Sequence, residues 1–201
     1  MDREATLAAE KSALRVMMIE RRGATSEQSR VAMSMAIAGR VLALPEVVNA
    51  HHIHLYLSIP GSTEVSTSAI IDGLAAMKKQ LSVPVVQNGE LLTAAFEKGC
   101  ALRPAQFGQP EPEAIVVADE SHLDVVLMPL LAFDGRGHRI GYGKGFYDRF
   151  LRRLLLKGIT PCRIGLSFLQ QKVEAVPVDA GDELLDGVVH EHGIIRFNSN
   201  L

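Results

Sequence analysis

Apolar residues recur along this chain with two different periods, and the changes of period divide it into elements. Ile70, Ile71, Leu74 and Met77 stand at helical spacing and predict a helix over 67–80. His52-Ile53-His54-Leu55-Tyr56-Leu57-Ser58 instead alternates and carries β formers, which predicts a strand. Residues 83–86 and 91–96 predict two more. Val125-Val126-Leu127-Met128 is continuously apolar after Asp124, the pattern of a strand covered on both faces in a parallel sheet. A helix over 146–156, a strand over 163–168 and a terminal strand or hairpin over 188–197 follow. Upstream, residues 3–22 read as a helix that Asp2 can cap, whose C-terminal dipole suits Arg21 and Arg22, and which Gly23 can end in a left-handed conformation. Thr25 with Gln28 suggests a capping box for a second helix, rich in Ala and Met, that stops before Pro45.

Strands alternating with helices predict an α/β layered fold with a mostly parallel central sheet. No repeat, linker or low-complexity tract divides residues 1–201, so one domain is expected. The C-terminal end of the 125–128 strand should face a ligand crevice. Residues 103–113 hold Pro104, Gly108, Pro110 and Pro112 and read as a long irregular segment, of the kind that is functional or mobile.

Composition narrows the chemistry. With 201 residues, 47% of them apolar, the chain can build one well-cored domain. Lys plus Arg number 21 against 23 Asp plus Glu, a formal charge of −2, so the global electrostatic case for nucleic acid or an anionic membrane is absent and any anion site must be local. No apolar run reaches the roughly 18 residues of a membrane span, and Met1-Asp2-Arg3-Glu4 is charged, which points to the cytoplasm. Cys100 and Cys162 are isolated, so neither a zinc pair nor a disulfide framework is expected. His190 and His192 could share one side of a strand, and His51, His52 and His54 read as strand surface without ligand partners. Lys78-Lys79 and Arg152-Arg153 read as solvated helix faces, and Met33 with Met35 as core filling.

The chemistry concentrates between the buried strand and the next helix, in Phe133-Asp134-Gly135-Arg136-Gly137-His138-Arg139-Ile140-Gly141-Tyr142-Gly143-Lys144-Gly145-Phe146-Tyr147-Asp148. Five glycines in eleven residues let successive N–H groups turn toward one anion, and the following helix adds its positive end. With Arg136, Arg139 and Lys144 interleaved, this is a candidate phosphate cradle; the alternative is a tight turn with solvated cations. Lys144 is followed by Gly145, and no Gly stands five residues before Gly143, which excludes a Walker A loop, and the spacing also misses the dinucleotide fingerprint. Lys11 and Arg15 share a helix face and could reach a polyphosphate together, or form a solvated basic edge. Asp148, with Asp182 or Asp186, would suffice for magnesium bridging phosphates.

These residues resemble the 5-formyltetrahydrofolate cyclo-ligase (methenyltetrahydrofolate synthetase) family. The resemblance rests on Lys11-Ser12-Ala13-Leu14-Arg15, Glu64-Val65-Ser66-Thr67, the 124–129 segment and above all the 137–148 run, with Gly165, Phe168, Gln170, Pro177 and Asp182 following in order. It implies a single three-layer α/β domain similar to the ribose-phosphate isomerase and CoA-transferase-like architecture. It further implies ATP- and magnesium-dependent cyclisation of 5-formyltetrahydrofolate to 5,10-methenyltetrahydrofolate, in a monomer or weak dimer. By position, Lys11, Arg15, Arg139, Ile140, Gly141, Tyr142, Gly143, Lys144, Gly145, Phe146 and Tyr147 would bind ATP, with Lys144, Arg139 and Tyr147 acting in catalysis. Ile59 and Glu64 would line the folate pocket, with residues 142–146 shared, and Asp148 and Asp182 would hold magnesium. The sequence departs from the family pattern at Asp179, where relatives carry Glu, at Gly181, where they carry His, and at Ser66 and His190. A non-catalytic nucleotide-binding module and a sugar-phosphate isomerase or CoA-transferase remain as competing readings.

Overall fold

The computed structural model describes residues 3–197. Helix α1 (Arg3–Gly23) opens the chain; Asp2, its expected cap, lies outside the described residues. Gly23 is its last residue and does not adopt a positive φ, so the expected left-handed stop is absent. Helix α2 (Glu27–Leu42) starts one residue later than the Thr25 box implied: Ser26 is the N-cap, its Oγ accepting the Ser29 N–H at 3.2 Å, and Thr25 is turned to Gln170 instead. A short α3 (Pro45–Asn49), with proline at its start, leads to β1 (His52–Leu55). Helix α4 (Ser68–Ala76) is shorter than expected because Lys78 takes a positive φ of 57°. The chain then enters β2 (Gln80–Gln87) and turns tightly into β3 (Glu90–Phe96).

The 103–113 segment is not irregular: β4 (Leu102–Pro104) and β5 (Pro110–Pro112) form an antiparallel hairpin. Glu111 anchors it, its Oε1 accepting the Val86 N–H and the Gln109 side-chain amide at 3.1 Å each. Next come β6 (Leu123–Pro129), the small hairpin β7 (Ala132–Phe133) and β8 (Arg139–Ile140), helix α5 (Phe146–Leu156), and β9 (Cys162–Leu166). A 3₁₀ turn (Leu169–Gln171) precedes the terminal hairpin of β10 (Gly187–His190) and β11 (Gly193–Arg196).

Seven strands make one sheet in the order β11-β10-β9-β6-β1-β2-β3. The five inner strands run parallel and the two edges antiparallel, which bears out the α/β expectation. Strand alternation sorts the core into two layers. Ile53, Leu55, Val125 and Leu127 face α2 and α4 through Ile37, Val41, Ile70 and Leu74. Val126 and Met128 face α5 through Phe150, Leu151 and Leu154. Met18 of α1 packs in a third, smaller cluster with Leu131, Ala132 and Ile140. Among the described residues no helix is long and apolar enough to cross a membrane.

Several surface expectations are corrected by this packing. His52 and His54 are buried, because they alternate with Ile53 and Leu55 and so point to the α5 layer; the His54 ring lies 5.0 Å from that of Phe150. Met35 is exposed, and only Met33 of the pair packs on the core. Lys79 lies past the end of α4 and donates to the carbonyls of Val48 and Ala50. Arg153 is no solvated residue: it pairs with Glu120, whose carboxyl is held down to about 2 by Arg153, Thr93 and Lys157 against the upward push of burial. His190 is buried at the end of β10 while His192 sits in the turn, so the two do not present one exposed metal-binding face.

Ser82 of β2 serves both buried imidazoles, its Oγ standing 2.8 Å from His52 Nε2 and 3.2 Å from His54 Nδ1. The outer nitrogens, His52 Nδ1 and His54 Nε2, have no partner among the described residues. Burial lowers both pKa values, that of His54 to about 3. Replacing Ser82 by Ala should orphan the inner nitrogens and cost about 1–3 kcal/mol of stability in urea unfolding. The folded state keeps both rings neutral, so it binds fewer protons than the unfolded chain once pH falls below the unfolded histidine value of about 6.5. Their contribution is intact above that pH and is lost as pH falls toward the folded values. Between pH 6.5 and 4.5, His54→Leu should therefore lose stability less steeply than wild type, by up to about 1.4 kcal/mol per pH unit; equal slopes would show that the imidazole is not the sensor.

Candidate functional site

The connections out of β1 and β6 leave on opposite faces, through α4 and α5, so the two adjacent strands part at their C-terminal ends. Such a switch point opens a crevice in an α/β sheet. Here it is a cavity of ≈ 510 Å³ whose floor includes Tyr56 and Leu57 beyond β1 and Pro129 at the end of β6. A volume of that size suits a small-molecule ligand.

The glycine segment forms one wall. Its first half is the β7–β8 hairpin, organised by the fully buried Asp134, whose Oδ1 accepts the Arg136 and His138 N–H groups and whose Oδ2 accepts that of Val176. Its second half runs from Gly141 to Gly145. Gly143 has φ 89°, and a Cβ there would stand 3.0 Å from the Arg15 guanidinium carbon. Gly145 is the N-cap of α5 with φ 64° and supplies no side-chain cap, so the first-turn amides are left for another acceptor.

Helix α1 closes the site with one stripe. Lys11, Leu14, Arg15, Met18 and Arg22 recur at helical spacing, and the three cations reach different parts of the wall. Arg15 Nε donates to Gly141 O at 3.0 Å. Lys11 Nζ lies 2.8 Å from Asp179 Oδ2 and 2.6 Å from Asp182 Oδ2. Burial alone would lower the Lys11 pKa, but the two carboxylates outweigh it and raise it, while Lys11 pulls that of Asp179 down.

Every residue that the family resemblance assigns to ATP, folate or metal lines this one cavity: Lys11, Arg15, Ile59, Glu64, the run 139–148, and Asp182; Arg136, read as part of the phosphate cradle, lies outside it and pairs with Asp134 at 3.0 Å. Their states differ from the simple picture of exposed ligands. Arg139 is engaged by Asp148 at 2.8 Å and also donates to the Glu183 carbonyl. Lys144 hangs over the Phe107 ring, 5.7 Å from its centroid. The Tyr147 hydroxyl is buried with no partner among the described residues, and burial holds its pKa well above the usual phenol value. Glu64, 8% exposed, accepts the Ile59 N–H at 2.7 Å, and burial raises its pKa against the opposing pull of that bond and of Arg22. Asp186 is not part of the site: it is held by Arg163.

The sequence reading did not anticipate Phe107 and Gln109, carried by the 102–112 hairpin, or Asp179 and Tyr56 as wall residues. The prolines flagged that hairpin, but its partner strand is short and mostly polar, so no alternation announced it. Arg22 was read as a helix-dipole complement, yet it is 4% exposed and donates into the site.

Among the described residues no three His, Cys, Asp or Glu side chains cluster to hold a metal unaided. Two carboxylates, Asp148 and Asp182, nevertheless line the same cavity, together with an adjoining depression shared with Asp179, Arg149 and Arg152. That donor set fits magnesium, which takes one or two protein carboxylates when phosphates supply the remaining oxygens.

The chain is 35% identical over 152 residues to the 5-formyltetrahydrofolate cyclo-ligase of Haemophilus influenzae, covering 73% of this chain and 79% of that protein. It is 32% identical over 178 residues to the Escherichia coli (strain K12) protein of the same name, covering 86% and 96%. The solution structure of 5,10-methenyltetrahydrofolate synthetase from Aquifex aeolicus superposes with a TM-score of 0.80 at 29% identity, over 95% of this chain and 94% of that one. Residues 7–191 match the 5-formyltetrahydrofolate cyclo-ligase family, and the chain belongs to that family of ligases.

Proposed function

We propose that this protein converts 5-formyltetrahydrofolate to 5,10-methenyltetrahydrofolate with consumption of ATP, magnesium assisting, and release of ADP and phosphate. The observation that carries the reading is the joining, in one cavity, of an uncapped helix N-terminus with interleaved cations and a buried carboxylate. The first suits a triphosphate and the second the amino and ring N–H donors of a pterin, since an ionised carboxylate is acceptor-only and can take a paired set.

An amide oxygen leaves poorly. Transfer of the γ-phosphoryl of ATP to the formyl oxygen makes it a leaving group; N10 then attacks the formyl carbon, loses its proton, and phosphate departs with that oxygen. Phosphoryl transfer asks the protein mainly for in-line placement and positive charge. Lys11, Arg15 and the 139–147 segment would bind ATP, with Lys144 and Arg139 against the transferring phosphoryl group and Tyr147 offering its unpartnered hydroxyl. Asp148 and Asp182 would hold magnesium, which supplies charge neutralisation when bound. Lys11 and Arg139 already neutralise those two carboxylates, so both cations stand where they would reach a phosphate once the acids are engaged by a metal. Ile59 and Glu64 would receive the folate, the 142–146 stretch lying between the two substrates.

Mixing the protein with 5-formyltetrahydrofolate, ATP and magnesium should produce the near-ultraviolet absorbance of the methenyl product, and a chelator should abolish it; no product at any substrate concentration would refute the assignment. Lys144→Ala removes a cation whose contact in the structure is an aromatic face, so the fold should be spared. Its affinity for ATP should fall by about 1.5–3 kcal/mol, roughly tenfold or more, in a calorimetric titration.

A further inference from the structure

Arg22 is the least explained charge in the molecule. A guanidinium that is 4% exposed must be hydrogen-bonded or paired, yet among the described residues it makes no ion pair within contact distance. It spends its donors on two neutral hydroxyls: Nε on Thr63 Oγ1 at 2.9 Å and Nη2 on Tyr142 OH at 2.6 Å. Its carbon also lies 5.8 Å from the Tyr142 ring centroid. Thr63 immediately precedes Glu64, and Tyr142 belongs to the glycine wall.

We propose that Arg22 is a positioning residue for the folate end of the pocket, tying the turn that carries Glu64 to Tyr142 of the glycine wall from the last turn of α1. This rests on Glu64 as the folate-binding carboxylate of the preceding section. Because the guanidinium grips Thr63 and Tyr142 and makes no salt bridge with Glu64, it compensates the buried carboxylate without occupying it. Glu64 accepts the Ile59 N–H and a Ser62 side-chain hydrogen bond, and its remaining lone pairs keep acceptor capacity for a ligand.

The groups that face Glu64 are few. From α1 comes Arg22, from beyond β1 the buried Tyr56, and from α5 Tyr147; burial pushes both phenols up, so they stay neutral in the acid range. Tyr142 approaches from the wall, bound to Arg22. Among them Arg22 carries the positive charge that opposes the upward effect of burial on Glu64. Removing that charge should make the carboxylate protonate at higher pH, and a protonated Glu64 loses its acceptor-only character.

The test is calorimetric titration of wild type, Arg22→Gln, Arg22→Lys and Glu64→Gln with 5-formyltetrahydrofolate and, separately, with ATP, from neutral pH into the acid range. Arg22→Gln should weaken formyl-folate binding by about tenfold or more, with a clearly smaller loss for ATP, which shares Tyr142 but not the Glu64 turn, and should move the acid fall-off of folate binding to higher pH. Arg22→Lys keeps the charge without the planar fork, so it should retain the wild-type fall-off and still bind folate more weakly. Unchanged folate affinity in Arg22→Gln, or equal losses for folate and ATP, would overturn the proposal. If Arg22→Gln does not melt cooperatively, Arg22→Lys decides: folate affinity equal to wild type overturns it. A wild-type protein that ignores formyl-folate, or a Glu64→Gln variant that binds it normally, would instead bring down the Glu64 reading and this one with it; a weakened Glu64→Gln beside an unaffected Arg22→Gln would sink the clamp alone.

Discussion

The site exists because two parallel neighbours, β1 and β6, send their chains away on opposite sides of the sheet. At that parting no helix covers the strand ends, and the backbone leaving each strand is free to turn back over the gap. Everything chemical follows from what the two departures carry. The β1 exit carries Tyr56, Ile59 and Glu64, while the β6 exit carries the glycine wall and then the N-terminus of α5. A carboxylate-lined end and a cation-lined end thus come from the two sides of one topological feature.

Helix α1 completes the enclosure by an unusual form of amphipathicity. A helix docked on a protein body normally presents an apolar stripe. On α1 only Met18 and Arg22 are buried, and the stripe that faces inward alternates aliphatic with cationic residues. Lys11, Arg15 and Arg22 each donate to a different partner on the wall, the acid turn or the Thr63 turn. Docking of the helix and assembly of the site are therefore coupled: beside the packing of Met18 and the Arg21 bond to the Gln170 carbonyl, α1 is held by contacts of residues that line the cavity.

The layered architecture and parallel sheet could be read from sequence because buried strands and amphipathic helices leave opposite periodic signatures. The bounds of helix α5 match the sequence pattern, since Gly145 precedes it and Phe150, Leu151 and Leu154 follow one face. The glycine segment was legible because glycine and cation alternate nowhere else with such density. What failed has a common cause. His52, His54, Arg22 and Arg153 are polar side chains whose partners lie far away in sequence, and local pattern assigns polar residues to solvent. The short hairpin over 102–112 failed for the complementary reason: prolines signal irregularity, whereas here they begin and end edge strands that need few N–H donors. The resemblance to a known family located the wall residues, but it could not show that Arg139 and Lys11 arrive already bound to the acids.

The sequence separations of the α1 contacts carry one more implication. Arg15 meets a carbonyl 126 positions away, and Lys11 meets Asp182 across 171. Bonds spanning such intervals form late in folding, because loop closure of that size is costly until the intervening core is in place. Helix α1 therefore takes its seat after the sheet it docks on, although it precedes that sheet in the chain. Ligand-binding competence in this molecule is thus a late product of folding, gained when segments 126 to 171 positions apart meet.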